Sequence, residues 1–151
     1  MKKLFLFLMV INLNFGFCNE YNHLFIKYGN LNNIPPILLW AIAKHESGLN
    51  KNAVNKKNND GSIDRGLMQV NSCHLPELKA LGYDENDLFN PEVNVKFAST
   101  ILKNCIDLVG FNYKALNCYN GKIENNHYNV AVLNEIRNLK KDNKWIIKNI
   151  K

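Results

Sequence analysis

Glu46 stands at the end of a run of helix-forming residues, Ile34-Pro-Pro-Ile-Leu-Leu-Trp-Ala-Ile-Ala-Lys-His-Glu-Ser-Gly48, and that is an unusual place to leave a charge. Counting back from it by three, four and seven residues gives Ala43, Ile42 and Leu39, so its carboxyl shares a helical face with apolar side chains. Burial on such a face raises a carboxyl pKa and keeps a proton in place near neutral pH, as a general acid requires. The alternative is a glutamate at a frayed helix end, turned to water. Other chemistries fail on spacing. His45-Glu46 opens like the zinc-peptidase pattern, but Leu49 stands where the second histidine is needed. Cys73-His74 lie far in sequence from Cys105 and His127, so no metal site is expected. A cysteine peptidase built on Cys73 would need a partner histidine that nothing specifies.

The elements that must carry Glu46 read as helices. Pro36 suits a first helical turn, where its missing N–H costs nothing, and Gly48 suits a left-handed cap. Upstream, Asn22 to Tyr28 reads as a brief amphipathic helix and Gly29 to Asn33 as a break. Asn50 to Arg65 is polar and turn-rich, bending most sharply at Asn58-Asn59-Asp60-Gly61; any strands here form at most a small β-hairpin. Gly66 to Asn71 is a short apolar element, and His74 to Leu81 a short helix stopped at Gly82. Asn90-Pro91-Glu92 combines a cap, a first-turn proline and an acid at the positive end of a helix dipole. From there Val95, Ala98, Leu102, Cys105, Ile106 and Val109 keep a 3.6-residue stripe up to Gly110. Tyr113 to Asn120 makes another short helix before Gly121, and a last one is expected over Tyr128 to Leu139 with a lysine-rich tail behind. The class is mainly α.

Met1-Lys2-Lys3 followed by the apolar run Leu4 to Leu13 has the layout of a secretory signal and is short for a membrane span. Cleavage is expected after Cys18, with Gly16 at the minus-three place; Phe17 argues against a lipoprotein signal, and an uncleaved anchor is the alternative. Residues 19–151 then form one exported domain with a short basic tail and no stable membrane span. Its balance of 17 basic to 13 acidic residues, net +4, is scattered over Lys- and Asn-rich turns. That pattern does not suggest nucleic acid and is compatible with mild attraction to an anionic polymer such as a cell wall. A monomer is expected, and no cofactor is implied.

Four stretches in order resemble one family. Glu46-Ser47-Gly48 with Asn50 and Ala53 is similar to the first motif of the lytic transglycosylase (SLT) domain, and Gly66-Leu67-Met68-Gln69-Val70-Asn71-Ser72 to its second. Asn90-Pro91 with Asn94-Val95 resembles the third, and Ala115 through Cys118-Tyr119-Asn120-Gly121 the fourth; the resemblance covers roughly residues 24 to 130. It implies a mainly α, lysozyme-like fold of the goose-type lysozyme and SLT group. It also implies a periplasmic enzyme acting on peptidoglycan glycan strands. The small exported members that share the Asn-Asp-Gly-Ser and Asp64 insertion commonly serve secretion, conjugation or pilus machinery, so components of such a system are expected partners.

Members of this family cut the β-1,4 bond between N-acetylmuramic acid and N-acetylglucosamine without water, leaving a 1,6-anhydro end. An internal hydroxyl as nucleophile removes the need for the second carboxylate of ordinary glycosidases. By resemblance Glu46 is the catalytic acid and base, and Tyr119 the tyrosine whose hydroxyl approaches it. Asn120 matches an amide associated with that tyrosine and the sugar, Gln69 a substrate-contacting amide and Met68 a residue lining the cleft. Asn55 falls where a serine or asparagine often reaches toward the reacting sugar; a turn residue is the plainer alternative, as plain core is for Met68 and Tyr119. The fourth motif departs from the family pattern, because Gly121 follows Asn120 directly and a small residue is missing between them. Asp64 could be the second carboxylate of a hydrolysing, goose-lysozyme-like enzyme, though a cap for a short helix at Gly66 is the preferred role. A catalytically idle glycan-binding or assembly protein is the non-enzyme alternative. Similar small members carry cysteines at the places of Cys105 and Cys118, which implies a disulfide here and leaves Cys73 odd unless cleavage spares Cys18.

Overall fold

The computed structural model describes residues 20–149, with side chains described through residue 141. The expected export signal over residues 1–18 lies outside the described residues. Helices α1 (Asn22–Asn32), α2 (Pro36–Ser47), α3 (Leu75–Ala80), α4 (Pro91–Val109), α5 (Tyr113–Tyr119) and α6 (Tyr128–Asn149) surround a sheet of three two-residue strands. The strands are β1 (Val54–Asn55), β2 (Asp64–Arg65) and β3 (Val70–Asn71), all antiparallel, with β2 in the middle. The sheet therefore has one strand more than a hairpin: the turn Gly66 to Gln69 folds the chain back, so that Val70 and Asn71 pair with β2. Among the described residues, no helix is long and apolar enough to cross a membrane.

Helix α1 packs on both α2 and α4, and α2 packs in turn on α6 and α4 on α5. Pro36 occupies the first turn of α2, and Gly48, at φ +63°, closes it by donating to the Lys44 carbonyl at 3.0 Å. Asn90 caps α4 by accepting from the Glu92 N–H at 2.9 Å, which answers one of the donors a helix start leaves open. The α4 stripe buries Val95, Ala98 and Leu102 against α1 and α5, while α2 packs on α1 and α6.

Two boundaries differ from the sequence expectation. Helix α1 continues through Gly29 to Asn32, and the break falls at Asn33, at φ +55°. Gly29 is there for space: a Cβ on it would stand 2.7 Å from the Ile34 carbonyl oxygen, where the chain turns toward α2. Helix α6 continues from Leu139 to Asn149, since the lysine-rich stretch contains neither glycine nor proline to stop it.

One buried side chain joins the sheet to α4. Asn94, fully buried, donates to the carbonyls of Arg65 and Leu88, each at 2.9 Å, and accepts from the Met68 N–H at 2.8 Å. Against it lies Gly66, at φ +80°, where an added Cβ would come 2.1 Å from the Leu88 carbonyl oxygen. From the α2 side, Ser47 Oγ donates to the Leu67 carbonyl at 2.6 Å. The Gly66–Gln69 turn is thereby held at both ends, next to the residue that follows Glu46. A disulfide between Cys105 and Cys118 ties α5 to α4 across a Cα separation of 5.8 Å.

Candidate active site

Helix α2 delivers Glu46 into a groove of about 1270 Å³ lined by residues of the sheet and its bend, of α3 and α4, and of the end of α5. Its helix-face neighbours Leu39, Ile42 and Ala43 are fully buried, and Glu46 itself is half-buried. Burial pushes its carboxyl from the usual 4.5 up to about 7; a hydrogen bond from Tyr128 pulls the other way, and the charge of Asp64 adds to the rise. A carboxyl poised there gives and takes a proton at neutral pH.

The phenol that meets Glu46 is Tyr128, 82 residues away, whose hydroxyl donates to Glu46 Oε1 at 2.5 Å. Tyr128 opens α6, and the packing of α6 on α2 brings it to the carboxyl. Its backbone N–H is fixed by Asn126 Oδ1 at 2.9 Å, and its ring meets His45 edge-on, centroids 5.3 Å apart. Burial raises the Tyr128 phenol well above its usual value, so it stays a donor. Tyr119, the tyrosine expected beside the glutamate, stacks on Tyr128 at 6.4 Å and spends its hydroxyl on the Met68 carbonyl at 2.8 Å. Tyr119 thus braces the second tyrosine and the Gly66 turn together. Nothing in the sequence signals Tyr128 for this place except its position as a large residue in the first turn of the last helix.

The other expected residues divide. Gln69 and Asn120 border the groove with Glu46 and Tyr119. Gln69 adopts φ +49° and donates from Nε2 to the carbonyls of Gly66 and Ala53 at 2.8 and 3.1 Å, leaving its side-chain oxygen as an acceptor. Met68 does not line the cleft: it is fully buried, because the turn directs its side chain into the core and only its backbone serves the site. Asn55 does not border the groove either, since its amide is turned onto Asp64 Oδ2 at 2.9 Å. Asp64 caps no helix; it belongs to β2 and its carboxylate accepts from the amides of Asn55, Asn58 and Asn71. Cys105 and Cys118 both border the groove, so the bridge forms part of its wall. After Asn120 the shortened loop is held by Asn117, which donates to the Ile123 carbonyl and accepts from the Asn129 N–H. Among the described residues, no group of three or more histidine, cysteine and acidic side chains is arranged to hold a metal ion.

Known proteins place this arrangement. The transglycosylase SLT domain matches residues 23–143. Protein IpgF of Shigella flexneri is 43% identical over 95 residues, 62% of each chain. Invasion protein IagB of Salmonella typhi is 40% identical over 89 residues, 58% of this chain and 55% of its own. A putative peptidoglycan-binding-like protein of Escherichia coli strain K12 is 40% identical over 99 residues, 61% of this chain and 63% of its own. The chain therefore spans less than two thirds of the length of these curated relatives. A family match running from α1 into α6, across the groove, Glu46 and both tyrosines, makes this chain a member of the transglycosylase SLT domain family, with a mainly α, lysozyme-like fold.

Proposed function

We propose that the chain is a peptidoglycan lytic transglycosylase that cleaves the β-1,4 bond between N-acetylmuramic acid and N-acetylglucosamine and leaves a 1,6-anhydro end. The observation that carries this reading is the half-buried Glu46 carboxyl, raised to about 7 and aligned by a phenol, in a groove of about 1270 Å³. Protonated Glu46 donates to the leaving glycosidic oxygen as the anomeric bond breaks, with the sugar's N-acetyl carbonyl supporting the electron-poor carbon. The muramic acid C6 hydroxyl then bonds to that carbon and returns its proton to Glu46. The carboxyl ends as it began, so one residue serves both steps. Gln69 and Asn120 are proposed to hold the strand through their amides, and Tyr128 to orient the carboxyl. The site of action is proposed to be the periplasm, where glycan is opened locally around an envelope-spanning secretion, conjugation or pilus apparatus; the name of the invasion protein relative is in keeping with this.

Digestion of purified sacculi, read by mass spectrometry of the released muropeptides, tests the reaction. Anhydro ends are expected, and Glu46→Gln should lower turnover by at least about 10²- to 10⁴-fold, the usual contribution of a positioned acid–base group. A goose-lysozyme-like hydrolase is the second reading, favoured by one observation: Asp64 borders the same groove as Glu46. Reducing ends in place of anhydro ends would establish it. An idle glycan-binding protein would release nothing, and Glu46→Gln would leave its binding intact.

A further inference from the structure

Charge is unevenly distributed around the Glu46 groove. Asp60 from the bend before β2, Asp64 of β2 and Glu77 of α3 border it together with Glu46. Lys122 is the one lysine or arginine among the described residues that border it, and it comes from the loop after α5. A shortened motif puts it there: Gly121, at φ +82°, follows Asn120 directly, and the next residue is the lysine.

The loop holds the backbone of Lys122 at both of its polar groups. The N–H donates to the Asn117 carbonyl at 3.2 Å, and the carbonyl accepts from Asn126 Nδ2 at 2.9 Å. Lys122 is exposed, and none of the ion pairs among the described residues involves it. The nearest acid along this loop, Glu124, is engaged with Lys114 at 2.7 Å. Three residues before Lys122, Tyr119 stacks on the tyrosine that aligns Glu46. An ammonium without a protein counter-ion therefore stands on the stretch of chain that reaches the candidate reacting centre.

A peptidoglycan strand carries negative charge of its own. Muramic acid bears a lactyl branch on C3, which ends in a carboxylate when bare. When the branch carries a peptide stem, that carboxyl becomes an amide and the stem supplies carboxylates instead. In a groove whose other charged residues are acidic, such a branch is repelled by Asp60, Asp64 and Glu77 and attracted by Lys122.

We infer that Lys122 is a specificity-determining residue, whose ammonium receives a carboxylate of the muramic acid C3 branch. This rests on the lytic transglycosylase reading and adds a preference to it: strands with charged branches bind better than the same strands with those charges removed. Lys122 acts on binding and leaves the chemistry to Glu46. An attraction made equally in the bound substrate and in the transition state lowers KM without raising kcat.

Soluble strands freed from sacculi by an endopeptidase test the inference in three forms. One keeps its stems, one keeps them with every carboxylate amidated by carbodiimide and an amine, and one is stripped by an amidase to bare lactyl carboxylates. With a charged form at low salt, Lys122→Ala should raise KM about three- to fivefold and Lys122→Glu should raise it further. Lys122→Arg should restore KM, and the products should remain anhydro ends with kcat near wild type throughout. The difference should fade at about 1 M salt, where the screening length is about 3 Å. Amidated strands should bind wild type and Lys122→Ala equally. A rise in KM with stem-bearing strands assigns the stem carboxylates, and a rise with stripped strands alone assigns the lactyl carboxylate. Wild-type KM for both Lys122→Ala and Lys122→Glu on both charged forms overturns the inference, while anhydro ends leave the reading of the reaction standing. An equal rise in KM on amidated strands overturns it as well, because the loss is then not one of charge. A wild-type chain that releases no fragments at all removes the underlying reading and this one with it.

Discussion

Burial and the Tyr128 hydroxyl act on Glu46 in opposite directions, the first favouring the protonated carboxyl and the second the charged one. Tyr128→Phe removes the opposing effect. The carboxyl pKa then rises above about 7, and the alkaline limb of the pH–rate profile should move to higher pH. With the carboxyl no longer aimed by the phenol, kcat should fall by about tenfold or more. A profile that moved to lower pH would contradict this assignment of causes. Glu46 was legible in the sequence because its apolar face follows from counting residues along one helix. Tyr128 was not, because its approach depends on how α6 packs on α2, and no local pattern encodes a contact 82 residues away. The tyrosine chosen from the motif, Tyr119, is nearby but is engaged with the Met68 carbonyl.

Among the elements, helix starts and stops carried the most information. The Asn90-Pro91-Glu92 cap and Gly110 bracket α4 where the structure has it, because caps and breakers act within one turn. Gly29 misled for the same reason: as local punctuation it reads as a break, whereas its real constraint is the carbonyl of Ile34 arriving from outside the helix. The third strand was likewise hidden, since two residues of β3 show no alternation to read. Gly66 is the glycine with the most to lose. An alanine there combines a left-handed φ with a Cβ 2.1 Å from the Leu88 carbonyl oxygen and 2.3 Å from Asn94 Nδ2. Gly66→Ala should destabilise the chain by about 3 kcal/mol or more, read from the midpoint of urea unfolding. Gly61→Ala, at φ +76° but with nothing within 4 Å, should cost distinctly less.

At the scale of the whole molecule, the Cys105–Cys118 bridge joins the groove wall to the helix that carries Tyr119. Replacing both cysteines by serine should lower stability by about 3 kcal/mol on the loop-entropy estimate, seen in denaturant unfolding with and without reductant. Thiol titration of the oxidised, folded protein should find Cys73 reactive and the bridged pair silent. The packing faces of α2 and α4 follow from apolar stripes that are visible in the chain, while the groove arises only where α2, the sheet, α3, α4 and the end of α5 come together in the folded molecule. Asn94 has a mechanical meaning there. One amide holds backbone from the strand, from the Gly66 turn and from the segment before α4, with no spare volume around it. That bank of the groove moves only as part of the α4 framework. The loop after Asn120, which borders the same groove, hangs from Asn117 by a few hydrogen bonds, and hydrogen exchange should find it faster to open than the Gly66 turn.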